Sequence, residues 1–74
     1  MSRVGVLPAT GRPRQLVWKQ RPLVIETVVE HWNELGRWWN DEPECEFYLA
    51  HTAGGLFLLC SNPRERQWYA RPVQ

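Results

Sequence analysis

The sequence predicts a mainly β fold: a small antiparallel barrel of the SH3-like kind, or a strongly bent sheet of four to five short strands. Three observations carry this. Residues 44–61 are dense in aromatic and aliphatic side chains and read with the period of two that marks strands. Thr52-Ala53-Gly54-Gly55 interrupts that run with the glycines a tight hairpin requires. Other short β-rich runs recur at similar intervals, separated by Pro, Gly and polar residues, as in small barrels.

The elements follow in order. Residues 1–14 hold Gly5, Pro8, Gly11 and Pro13 among basic and small residues, so they read as a flexible basic arm, and residues 15–74 as a single small β domain. Gln15-Leu16-Val17-Trp18-Lys19 is a short strand with Leu16 and Trp18 on one face, followed by a turn at Gln20-Arg21-Pro22. The β-branched density of Leu23 to Val29 places a strand over roughly residues 23–31. The alternative is an α+β fold with a helix near residues 24–34, because Ile25, Val28, Val29, Trp32 and Leu35 also fall at helical spacing. Gly36 and the Asn40-Asp41-Glu42-Pro43 run bracket Arg37-Trp38-Trp39 as a short strand or extended loop. Glu44 to His51 and Leu56 to Ser61 then form a hairpin in which His51 faces Leu56, Leu49 faces Leu58 and Phe47 faces Cys60. Tyr48, Phe57 and Leu59 occupy its other face. Asn62 to Arg66 is a polar turn, and Gln67-Trp68-Tyr69-Ala70 a last strand that Pro72 ends.

Seventy-four residues make one domain near the lower size limit for a self-supporting core. With 43% hydrophobic and 23% charged residues it reads as globular and not as a disordered tail. Five of the residues are Trp, whose large apolar area helps fill a core this small. The net charge of +1 conceals a segregation: Arg3, Arg12, Arg14, Lys19 and Arg21 precede any acidic residue, whereas Glu26 to Glu46 holds seven carboxylates against Arg37 alone. Arm and acidic middle neutralise each other, and an overall charge this small argues against tight nonspecific DNA binding.

No run approaches the ~18 apolar residues of a membrane helix and the N-terminus lacks a signal-peptide core, so a cytoplasmic location is expected. Leu7-Pro8-Ala9-Thr10-Gly11 spells a sorting pentapeptide but lacks the apolar tail that such a signal requires after it. Cys45 and Cys60 form no C-x-x-C pair and sit in apolar runs, which suits reduced, structural thiols. His31 and His51 complete no compact zinc spacing with them, so neither a metal nor a cofactor is expected. Gly54-Gly55 lacks the Lys-Ser/Thr of a phosphate loop, and Cys60-Ser61 lies far in sequence from either His. Glu42, Glu44 and Glu46 alternate as a solvated strand face does. The chain is therefore not expected to be an enzyme.

Gly36-Arg37-Trp38-Trp39, Phe47-Tyr48, Gly55-Leu56-Phe57-Leu58-Leu59 and Trp68-Tyr69 together resemble the C-terminal segment of ImuB-type proteins. These are catalytically degenerate relatives of Y-family DNA polymerases, and short stand-alone bacterial proteins share the segment. The resemblance runs from Arg14 to Tyr69 and carries over nothing catalytic. It implies an accessory module of bacterial translesion synthesis and DNA-damage tolerance that works by contact. The acidic Asp41 to Glu44 run departs from the pattern and weighs against direct DNA contact.

Two functions from different classes are compatible with these residues. One is a protein–protein interaction module using an aromatic patch of Trp38, Trp39, Tyr48 and Tyr69, since exposed aromatics ringed by polar groups are typical hot spots. The other is a weak single-strand nucleic-acid binder that stacks bases on aromatics and follows the backbone with Arg12, Arg14, Lys19 and Arg21.

Overall fold

The computed structural model describes residues 2–8, 11–34, 45–62 and 65–73. Six antiparallel strands, β1 (Ser2–Leu7), β2 (Gln15–Trp18), β3 (Arg21–Glu34), β4 (Cys45–Thr52), β5 (Gly55–Asn62) and β6 (Gln67–Pro72), pair in sequence order, and β1 closes the barrel against β6. The fold is all-β, with no helix among the described residues.

The expected flexible arm is corrected over its first half. Ser2–Leu7 is a barrel strand, paired with β2 through Gly5 to Leu7 and with β6 through Ser2 to Val4. Val6 is buried and Val4 packs against the core, so the strand has the usual alternation. Its signal is weak because Gly5, opposite Val17, contributes no side chain to the outer face. The bend that follows is docked as well: Arg14 N–H donates to Leu7 O at 2.9 Å, Ile25 N–H donates to Arg14 O at 2.9 Å, and Pro13 is buried.

The turn expected at Gln20-Arg21-Pro22 sits one residue earlier. Lys19 and Gln20 both have positive φ, 48° and 68°, and Trp18 pairs with Arg21 across them, which is the two-residue hairpin whose twist matches its strands. Arg21 and Pro22 already belong to β3.

β3 is a strand longer than the expected 23–31, and the helical alternative is set aside. Against β4 it shifts register between Ile25 and Thr27 and again between Val28 and Glu30. Each shift inserts one extra residue, bending and twisting the strand. The inward positions consequently step by three, through Ile25, Val28 and His31, opposite Thr52, Ala50 and Tyr48. That spacing mimics a helical stripe although the backbone is extended.

The β4–β5 hairpin has the expected register, with Phe47 opposite Cys60, Leu49 opposite Leu58 and His51 opposite Leu56. Gly55 has φ of 113°, and Thr52 Oγ donates to Gly55 O at 2.8 Å while accepting from Gly54 N–H at 3.0 Å. The inner face carries Tyr48, Ala50, Phe57 and Leu59, joined by Leu16, Trp68 and Ala70 to form the core. Ala50 and Ala70 leave space that the larger rings occupy. Trp18 meets Phe57 edge to face at 5.1 Å, and Tyr48 lies 5.6 Å from Trp68.

Candidate functional site

Closing the sheet turns one set of alternate side chains inward and the other outward. Two rows cross the outside from β3 to β6. Trp32, Phe47, Cys60 and Tyr69 stand in register, as do Glu30, Leu49, Leu58 and Arg71. Trp32 stacks on Phe47 with ring centroids 5.5 Å apart and planes 11° from parallel. Phe47, Leu49, Leu58 and Tyr69 are each partly exposed. Cys60 is buried although it faces outward, because Phe47 and Tyr69 flank it in register and a thiol is short beside two rings. The edge of this apolar face is polar. Arg3 stands opposite Tyr69 and donates to Gln67 at 2.6 Å, and the Tyr69 hydroxyl donates to Glu65 at 3.1 Å. That hydrogen bond to a carboxylate is the main reason the Tyr69 phenol is held above its ordinary pKa.

The four expected contact residues separate. Tyr69 lies in the outer row. Tyr48 does not lie on the outer face: it is 5% exposed and points into the barrel, since β4 places it on the same side as Ala50 and Thr52. Trp38 and Trp39, with the expected Arg37-Trp38-Trp39 strand, lie outside the described residues. Trp32 and Phe47 were not named as contact residues from the sequence. Cross-strand register is what brings them together, and β3's bulges set that register.

Beside the barrel's inner end lies a cleft of about 390 Å³ lined by Gly11, Arg12, Val28, His31 and Tyr48. His31 stacks on Tyr48 at 4.2 Å with planes 5° apart, the Tyr48 hydroxyl donates to Glu46 at 2.9 Å, and His31 Nε2 is 3.7 Å from the same carboxylate. Burial pushes the Tyr48 phenol up to about 12, reinforced by its bond to Glu46 and opposed by the positive charge of Arg12.

The expected nucleic-acid residues fall in two places. Arg12 and Arg14 line space beside the bulges of β3. Lys19 and Arg21 belong to the β2–β3 hairpin tip, where the Lys19 ammonium sits 5.8 Å from the Trp18 ring centre. Arg21 precedes Ile25, the residue bonded to Arg14, by about 13 Å of strand. Cys45 and Cys60 are both free thiols. Among the described residues no group of three His, Cys, Asp or Glu side chains is arranged to hold a metal ion.

The fold and its surfaces define a small closed antiparallel β-barrel with an apolar, charge-rimmed outer face. Residues 5–72 match the model of a family described as a domain of unknown function, DUF6504, and the chain belongs to that family. No curated protein and no solved structure matches it.

Proposed function

We propose that this barrel is a non-catalytic interaction module whose contact surface is the outer face of β3 to β6. The observation that carries this reading is the row Trp32, Phe47 and Tyr69 beside Leu49 and Leu58, on the side of a closed barrel that adds nothing to its core. Contiguous apolar faces with a polar rim mark contact sites, and aromatic residues dominate binding energy at such sites. Trp38 and Trp39 remain contact residues on sequence grounds, and Tyr48 leaves the set. Given the resemblance to ImuB C-terminal segments, the partner is a protein of the bacterial translesion or repair machinery, and the site of action is the cytoplasm. Separation of the four basic residues into two places favours this over single-strand binding, which needs a continuous basic track.

Photo-crosslinking tests it. A photoreactive residue at Leu58 is expected to capture translesion proteins in cells under DNA damage, whereas one at Val24, 60% exposed but on the part of β3 that pairs with β2, is not. Equal capture from both positions, or none from Leu58, removes the outer face from consideration.

A further inference from the structure

β3 is paired along one edge by β4 from Ile25 to Glu34, but β2 covers the other edge only from Arg21 to Val24. Ile25 adds one bond, to Arg14 O. Beyond it, no described residue hydrogen-bonds to the second edge of Thr27 to His31. A strand edge that no described residue pairs is a template for another chain, and the register shifts just before this segment and within it, with the exposed charge of Glu30, are the usual means of limiting indiscriminate pairing.

The cleft of about 390 Å³ lies on this edge, since Val28 and His31 line it from β3 and Arg12 from the bend alongside. A second space of about 290 Å³ continues past Arg12 and Val28 to Arg14, Ile25, Glu26 and Thr27. Both arginines are exposed, and neither forms an ion pair among the described residues. The carboxylates nearby are Glu46, already engaged by the Tyr48 hydroxyl and His31, and Glu26 at the far end beside Arg14.

We propose that the edge of β3 at Thr27–His31 receives an extended peptide as an added strand, with an acidic side chain of that peptide seated in the cleft against Arg12. The main chain supplies the pairing and alternate side chains the selectivity, as in other strand-addition sites. A guanidinium takes a carboxylate in a two-pronged bond, which fixes the register of the incoming strand. Nucleic acid fits this place less well: its backbone lacks alternating N–H and C=O groups, and its phosphates would approach Glu26 and Glu46. The site is separate from the outer aromatic face and does not depend on it.

The test uses the full chain and a fluorescent, terminally blocked peptide alternating Asp and Val, read by anisotropy and by amide exchange. Saturable binding is expected, with slowed exchange within Thr27 to His31. R12E is expected to weaken it by about tenfold or more, in the range for losing a hydrogen-bonded charge pair, while F47A leaves it unchanged. A Lys–Val peptide, and an Asp–Val peptide whose backbone nitrogens are methylated on the pairing side, are expected not to bind. Because Arg12 is exposed, R12E should retain the wild-type melting curve; if it does not, R12K is compared instead, with the same direction of effect expected. The proposal is overturned by no binding up to about 1 mM, by equal binding of the Lys–Val or methylated peptide, or by an unchanged affinity in the folded arginine variants. Preferential, steeply salt-dependent binding of an oligothymidine at Arg12 would overturn it in favour of a phosphate site.

Discussion

Leu58 and Leu59 are adjacent on β5, yet Leu59 is fully buried between Tyr48 and Ala70 while Leu58 stands outside between Leu49 and Arg71. Both faces of this hairpin carry apolar side chains, but only one of them forms the core. Inside, closure fixes a volume, and large and small residues share it: Leu59 and Phe57 with Ala50 and Ala70. Outside no volume has to be filled, and the aromatic row is the surface we propose for docking. Apolar character alone therefore does not distinguish core from contact surface in a barrel this small; the direction of the side chain does.

The sharpest way to break the comparison is to open the barrel. Removing Ser2 to Leu7 takes out the strand that joins β2 to β6, and the remaining chain is expected to lose cooperative unfolding in a urea titration. Next, Leu59→Ala should cost about 3–5 kcal/mol, enough to unfold most of a domain of this size, whereas Leu58→Ala should cost under about 1 kcal/mol and instead weaken partner capture. Equal stability losses in the two variants would erase the distinction between the faces.

The hairpin glycines refine it further. Gly55→Val should destabilise by about 1–3 kcal/mol because φ of 113° excludes an L side chain, although nothing lies within 4 Å of the added Cβ. Gly54→Val acts differently and less. Its Cβ would come within 3.0 Å of Leu23 Cδ1, the end of a side chain able to shift, so the loss should be about 1 kcal/mol, read as the difference in urea midpoints.

Tyr48 gives a pH signature of the inner face. Its phenol titrates at about 12 when folded against 10.0 when unfolded, so its protonated form contributes stability in full below pH 10. That contribution is lost as the pH rises from 10.0 through about 12. The urea midpoint should fall across this window in the wild type. In Tyr48→Phe the fall should be much reduced, with a cost near neutrality of about 1 kcal/mol for the lost bond to Glu46. The smallest effect is expected at the β2–β3 turn. Gln20→Gly relieves a non-glycine residue at φ of 68° and should raise stability by about 0.5 kcal/mol, a small upward shift in Tm.

Much of the β4–β5 hairpin was legible because its information is local: alternation sets the faces, Gly54-Gly55 the turn, and together they set the register. β3 was half legible. Its β-branched residues identified the strand, but Ile25 and Val28 at a spacing of three resembled a helix face, and only pairing with β4 shows that bulges produce that spacing. β1 was missed because Gly5 and Pro8 dilute its alternation, and its partners β2 and β6 include one more than sixty residues distant in sequence. Of the expected contact residues, Tyr69 lies on the outer face; Tyr48 shares the face of Phe57 and Leu59 as alternation predicted, but barrel closure makes that face the interior.

By itself the sequence determined the β class, the hairpin register and the segregation of charge, because propensity, turn chemistry and periodicity act over a few residues. Only the tertiary structure decided which face of each strand is inside, that the N-terminal residues close the barrel, and that Arg12, His31 and Tyr48 line one cleft beside β3. Those outcomes depend on closure, in which one strand's register fixes the orientation of every other, and no local window of sequence contains that constraint.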